Sequence, residues 1–287
     1  MKSVEIIYRY GAEGETVRPR PVDSDEARHR LDEGSQAFSA LIENLADDNG
    51  KASRVIQVDP QDLGLATGTA SPKQRPFAAV LGCSDARVPV ELIFNEGPND
   101  LFVIRVAGNG LGNEVLGSLK YAVEHLGGSL KVVVVLGHSG CGAVSAAVDV
   151  FLEPGRYLPL ATSHSLRNIV DRLLVVVQAS AKKLLETFGP DVTRNPGYRD
   201  ALIELSITTN AALAAYTIQQ EMGSSAPGGL RAVYGVYLIA TRQVWAPHRG
   251  TVIWTGLADP PSGLADFIEF GNAVIHSDRI TSLLKSE

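Results

Sequence analysis

The stretches Phe77-Ala78-Ala79-Val80-Leu81-Gly82-Cys83-Ser84-Asp85-Ala86-Arg87 and Lys131-Val132-Val133-Val134-Val135-Leu136-Gly137-His138-Ser139-Gly140-Cys141 follow one plan. In each, an apolar run ends at a glycine and gives way to polar side chains able to ligate a metal. Runs of this length and β-branched content predict strands buried on both faces, as in parallel sheets. In an open parallel sheet, ligands bind in the crevice beyond the carboxyl ends of the strands. Two cysteines and a histidine delivered to that edge are donors of the type zinc prefers. The two stretches together predict a catalytic zinc site.

Outward from this centre, the chain alternates strand and helix signals. Val90 to Phe94 predicts a short helix and Leu101 to Val106 a buried strand. Gly108-Asn109-Gly110-Leu111-Gly112 leads into a helix from Glu114 to Leu126, with Lys120 and Glu124 as an outward i,i+4 pair. A short apolar helix, Gly142 to Leu152, starts at Cys141. Amphipathic helices follow at Ser163 to Phe188 and Tyr198 to Met222. Arg231 to Val244 predicts a further strand, Trp245 to Gly256 a short strand or hairpin arm, and two C-terminal helices close the chain. Upstream, Val4-Glu5-Ile6-Ile7-Tyr8 alternates within an extension of undefined structure. Ser24 to Asp47 predicts a helix, with Ala27, Leu31, Ala37, Phe38, Leu41, Ile42 and Leu45 near one face and its start at Ser24. Residues 48–75, rich in Asp, Gly, Thr, Ser and Pro, read as a long connection. The expected architecture is α/β: a mostly parallel β-sheet flanked by helices, with N- and C-terminal helical arms, in one domain over 1–287. Within it, 1–75 form the N-terminal extension and arm, 76–150 the zinc-site core, and 151–287 the C-terminal helices and late strand.

Composition narrows the function. The 287 residues are 45% apolar, enough to bury a sizeable core. Twenty-six basic against 32 acidic residues give a net charge of −6, which disfavours nucleic acid or an anionic membrane as partner. No window approaches ~18 consecutive apolar residues, and the N-terminus lacks a continuous apolar signal segment, so a soluble, cytoplasmic protein is expected. With two cysteines, Cys83 and Cys141, there is no disulfide framework. A buried cysteine is often a small hydrophobe. That explains one of them, not two beside polar clusters at matching strand ends.

Cys83 stands 55 residues before His138-x-x-Cys141, so the fold must assemble the site. Structural zinc sites use two close ligand pairs, and one half-pair is missing here. Three protein ligands and an open position is the catalytic pattern, the fourth place falling to water or to Asp85. Two thiolates and an imidazole offset the charge of Zn²⁺, so bound water is acidified less than at three histidines; Arg87 supplies compensating positive charge. Cys141 at a helix start has its thiolate favoured by the helix dipole. An Asp85–Arg87 pair taken alone reads as an ordinary surface ion pair. Beside a metal ligand it reads as an aspartate held ionised to accept a hydrogen bond from the reacting oxygen.

Cys83-Ser84-Asp85-Ala86-Arg87-Val88-Pro89, Glu91-Leu92-Ile93-Phe94, Arg105-Val106-Ala107-Gly108-Asn109 and Gly137-His138-Ser139-Gly140-Cys141-Gly142-Ala143-Val144 together resemble the β-class carbonic anhydrases, densely from Gln74 to Val148. The resemblance implies zinc ligands Cys83, His138 and Cys141, and a catalytic dyad of Asp85 and Arg87. It also implies a substrate-binding amide at Gln74 and a small apolar CO₂ pocket including Phe102 and Ala107. It implies a homodimer or higher homo-oligomer, a helical arm packing on the second copy, and reversible hydration of CO₂ to bicarbonate and a proton by zinc-bound hydroxide. At low pH it implies that Asp85 can itself bind the zinc. Ala86 replaces a common serine. Val80 replaces the tryptophan of a non-catalytic bicarbonate pocket, although Arg105 of that pocket is present. Extra residues fall near 48–73 and 151–200. His29, His125, His164, His248 and His276 read as ordinary histidines rather than proton shuttles.

Three other functions compete. The same ligands serve hydrolases of carbon disulfide and carbonyl sulfide. A non-catalytic zinc-bound interaction protein would not need Asp85, Arg87 and Gln74 together. Dinucleotide binding at Gly108-Asn109-Gly110-Leu111-Gly112 fails, because Asn113 breaks the glycine pattern and the ribose-binding acid is missing.

Overall fold

The computed structural model describes residues 3–11, 18–43, 51–65, 71–223, 230–247 and 255–285. The chain opens with β1 (Ser3–Tyr10), α1 (Ser24–Glu43) and β2 (Lys51–Val58). The central part runs β3 (Ala78–Gly82), α2 (Val90–Phe94), β4 (Leu101–Arg105), α3 (Asn113–Leu126), β5 (Val132–His138) and α4 (Gly142–Leu152). Helices α5 (Tyr157–Ala161), α6 (His164–Phe188) and α7 (Tyr198–Met222) lead to β6 (Arg231–Tyr237) and β7 (Val244–Trp245). Helices α8 (Leu264–Ile275) and α9 (Asp278–Lys285) end the fold.

The main sheet has the order β4-β3-β5-β6-β7, parallel except for β7. Its two central strands are the two quoted stretches. Residues 78–81 and 132–136 are all fully buried, which is why every position had to be apolar. Side chains alternate between two layers. Ala79, Leu81, Val133 and Val135 face the cluster holding residues of α3, α4, α6 and α7. Ala78, Val80, Val132, Val134 and Leu136 face residues of α1 and α2. Each Val or Leu buried this way contributes about 1.5–3 kcal/mol. Gly82 pairs with Leu136, so both strands reach the sheet edge at one level. The chain leaves β3 toward β4 on one side and β5 toward β6 on the other. Their carboxyl ends therefore flank the topological switch point of the sheet.

Several boundaries differ from the sequence expectations. Helix α1 is described to Glu43; the expected continuation to Asp47 lies outside the described residues. Asp23, not Ser24, caps it: the Asp23 carboxylate accepts from the Glu26 N–H at 2.8 Å, and the Glu26 carboxylate accepts from the Val22 N–H at 3.0 Å. This is a capping exchange one residue earlier than expected. The expected connection at 48–75 contains β2, which pairs in parallel with β1 from Ser3↔Lys51 to Tyr10↔Val58. A 3₁₀ turn at Pro60–Leu63 follows it. Polar residues hid this strand, because only alternate side chains, Ile56 and Val58, are buried. The late strand stops at Tyr237 and turns back into antiparallel β7, rather than running to Val244.

The N-terminal helix is tied to the sheet layer by a buried ion pair. Arg30 Nε donates to both oxygens of Glu96 at 3.0 and 3.1 Å, and its guanidinium lies 4.5 Å from the centre of the Phe77 ring. Helix α7 is long and apolar enough to cross a membrane by length and composition, yet 67% of that window is buried inside the protein. It is the core helix against β5 and β6.

Candidate metal centre

Cys83 leaves the end of β3, His138 ends β5, and Cys141 is the N-cap of α4. Their ligand atoms all lie within 4.8 Å of one another, with the sulfurs 4.0 Å apart, and all three residues are buried. A tetrahedral zinc with bonds of about 2.0–2.3 Å needs donors about 3.5–3.8 Å apart. Small inward movements would meet that.

The surroundings prepare each donor. His138 Nδ1 bonds the Ser139 carbonyl at 3.1 Å, which leaves Nε2 with the lone pair. Among the described residues that buried Nε2 has no hydrogen-bond partner, an arrangement costly for a neutral imidazole and satisfied by a metal. The two sulfurs are hydrogen-bonded to one another. The hydrogen bond with Cys141 draws Cys83 down, aided by His138 and the Gly108 N–H, while that bond and burial push Cys141 up. The backbone N–H groups of Val144 and Ala143 at the start of α4 act the other way on Cys141. Two sulfurs and one imidazole nitrogen are the donor set of zinc, and the cofactor of this centre is Zn²⁺.

Asp85 and Arg87 stand beside the trio. Arg87 Nε and a terminal nitrogen grip the two carboxylate oxygens of Asp85 at 3.0 and 2.7 Å, and the Arg87 backbone N–H adds a third bond at 2.9 Å. These bonds, Arg87's side chain first, hold the Asp85 carboxyl well below the usual carboxylate range. Asp85 Oδ2 lies 3.9 Å from His138 Nε2. The carboxylate faces the metal position while being held by the arginine.

Four residues that the motifs did not single out for the centre support it. Gly108 donates its N–H to Cys83 Sγ at 3.3 Å. It sits at φ +66°, and a Cβ there would lie 3.1 Å from both Ala143 and Leu173. Asn210 on α7 donates to the Gly108 carbonyl at 3.0 Å, and Glu204 accepts from the Gly140 N–H at 2.9 Å. Arg105 donates from Nε to the Cys83 carbonyl at 3.1 Å and from a terminal nitrogen to the Asp85 carbonyl. The glycine cluster after β4 thus serves the metal loop.

Phe102 on β4 is half-buried against the cluster that contains both cysteines, and Ala107 begins the 3₁₀ turn that carries Gly108. Gln74 precedes β3 and is exposed, and among the described residues its side chain makes no hydrogen bond to the centre. His29, His125, His164 and His276 are exposed surface residues, and His248 lies outside the described residues. A cavity of about 440 Å³ lies elsewhere, lined by Arg18, Arg30, Arg54 and Glu96 among others.

Comparison with known proteins gives the family. The family model described as carbonic anhydrase matches residues 78–236. The chain belongs to the β-class carbonic anhydrase family. It is 37% identical over 146 residues to carbonic anhydrase 2 of Mycobacterium tuberculosis, covering 50% of this chain and 59% of that protein. It is 45% identical over 100 residues to the carbonic anhydrase of Mycolicibacterium smegmatis, covering 35% of this chain and 45% of the relative. The chain therefore spans less than two thirds of these relatives. Among solved structures, the β-carbonic anhydrase CcaA aligns with a TM-score of 0.49 and 23% identity, covering 64% of this chain and 85% of that one.

Proposed function

We propose that the protein is a zinc-dependent carbonic anhydrase that interconverts CO₂ and bicarbonate. The observation that carries this reading is the Asp85–Arg87 grip beside the Cys83, His138 and Cys141 donors. A structural zinc would need the donors alone; a carboxylate pinned as an anion by Arg87 at 3.9 Å from a ligand nitrogen is suited to orienting a reacting group there.

Bound to these donors, zinc supplies the Lewis acidity that makes water a competent nucleophile near neutral pH. Everything else falls to the chain. Asp85, unprotonated through Arg87, accepts a hydrogen bond from the reacting O–H and turns its lone pair toward the substrate. Arg87 keeps that carboxylate from rotating, and Arg105 fixes the backbone that carries it. Gly108 moderates the Cys83 thiolate through its N–H. Phe102 and Ala107 offer the apolar wall an uncharged linear molecule requires. Gln74 presents its amide to the substrate's oxygen; because it is exposed, Gln74→Leu should raise KM more than it lowers kcat. The test of substrate is direct. CO₂, carbon disulfide and carbonyl sulfide are assayed on one zinc-loaded sample, and hydration of CO₂ should dominate; turnover of a sulfur substrate alone would move the assignment to those hydrolases.

We further propose a homodimer or larger homo-oligomer in the cytoplasm. Leu264 and Ile268, one turn apart on α8, are 80% and 54% exposed, and such a stripe is suited to burial against a second copy. The only two thiols are committed to the metal rather than to a disulfide, which suits a reducing compartment. Light scattering tests the assembly: a single-chain mass at all concentrations would contradict it.

A further inference from the structure

Among the described residues, one edge of strand β1 has no partner. Among the described residues it pairs with β2 alone, and that sheet ends there. A two-stranded sheet is marginal by itself, and an open edge presents a row of unpaired N–H and C=O groups. Ile6 of β1 packs against the core, while Glu5, Ile7 and Arg9, on the other face, are exposed. Val55 of β2 lies opposite Ile7, and the two are 37% and 40% exposed. Glu5 lies opposite Ser53 and Arg9 opposite Gln57, so neither charge faces an opposite charge across its own sheet. Four residues apart on a strand, they are separated by about 13 Å and do not pair with each other.

We propose that this edge joins a second copy of the chain, the two β1 strands running antiparallel about a two-fold axis at Ile7. Chemistry selects the register. Residues directly opposed across an antiparallel pair must direct their backbone groups to the same side. Around a two-fold axis within β1, this centres the pairing on a residue rather than between two. Centring on Ile6 opposes Glu5 to Ile7, and centring on Tyr8 opposes Arg9 to Ile7. Centring on Ile7 opposes Glu5 to Arg9 of the second copy, and by symmetry Arg9 to its Glu5. It also opposes Ile6 to Tyr8 and Val4 to Tyr10, each twice. On the outer face Val55, Ile7 and their symmetry mates then form one apolar row across four strands, with a Glu–Arg pair on each side. The interface is isologous, a single patch complementary to itself, and it closes the β1 edge of each copy.

Sedimentation equilibrium on the zinc-loaded, full-length protein tests this, with masses compared over a range of concentrations. Glu5→Arg and Arg9→Glu each place like charges opposite one another twice, and each should halve the wild-type mass at matched concentration. The double variant Glu5→Arg/Arg9→Glu restores two complementary pairs and should restore the wild-type mass. Misfolding of a single variant would not be repaired that way. Ile7→Cys should yield a disulfide-linked pair under mild oxidation, because opposed residues bring Cα atoms to about 4.5–5.5 Å, within disulfide reach. Val4→Cys, opposite Tyr10, should not. Single swaps that keep the wild-type mass, a double swap that fails to restore it, a monomeric wild type, or equal cross-linking at positions 4 and 7 would each overturn the proposal. None of these outcomes depends on which substrate the zinc site turns over.

Discussion

Gly108 shows how narrowly the centre is set at the residue scale. Its backbone lies in the left-handed region at φ +66°, its N–H reaches Cys83 Sγ at 3.3 Å, and two side chains stand where a Cβ would go. Gly108→Ala should therefore cost about 1–3 kcal/mol of unfolding free energy, read as a lower denaturant midpoint with the slope retained. An unchanged midpoint would mean that the turn accepts a side chain. The donors are legible in the sequence, because Cys83 and His138 each follow a glycine that breaks an apolar run, and Cys141 lies three residues past His138. Asp85 and Arg87 were legible by adjacency. Nothing local in the sequence marks Gly108, Asn210 and Glu204 as supports. Asn210 reaches Gly108 from 102 residues away and Glu204 reaches Gly140 from 64, and no local pattern encodes such a contact.

At the scale of the element, α1 separates what was read from what was built. Its apolar stripe was clear, and Ala27, Leu31, Phe38 and Leu41 are indeed its buried face. Ser24 is the expected start, whereas the Asp23 carboxylate makes the capping bond. Asp23→Ala should cost about 1 kcal/mol, with Ser24→Ala near zero; thermal unfolding of the two variants reads the difference, and a larger loss at Ser24 would contradict the assignment. Strands β3 and β5 were visible because burial on both faces demands an unbroken apolar run. Strand β2 was not, since it is buried on one face only and its partner, β1, lies some fifty residues earlier. Leu136→Ala, which empties a site on β5 buried to 0% exposure, should cost about 2–5 kcal/mol.

Across the whole molecule, Glu96 couples stability to pH. Burial pushes its carboxyl up to about 7, against the opposing pull of Arg30 and Arg18, with Asp100 adding to the rise. The folded state thus holds this proton more tightly than the unfolded chain. Its contribution to stability is fully present below the unfolded value of about 4.5 and is lost as pH rises through about 7. Between those limits wild type should lose on the order of 1–3 kcal/mol relative to Glu96→Gln, which has no proton to release. Parallel pH profiles for the two proteins would contradict this. The Glu96 carboxylate bonds Arg30 and Arg18 rather than a zinc donor, so the effect should appear in unfolding rather than in metal content.

The central claim is that Asp85, pinned by Arg87 beside a Cys₂His zinc site, orients the oxygen that attacks CO₂. Stopped-flow CO₂ hydration on wild type and Asp85→Asn, with zinc measured in the same samples, tests it most directly. The account predicts about one zinc per chain in both proteins, rapid hydration by wild type, and a loss of roughly 10²–10⁴-fold in kcat for Asp85→Asn. Equal hydration by the two, or stoichiometric zinc in a wild type that hydrates no CO₂ from about pH 6 to 9, would contradict it.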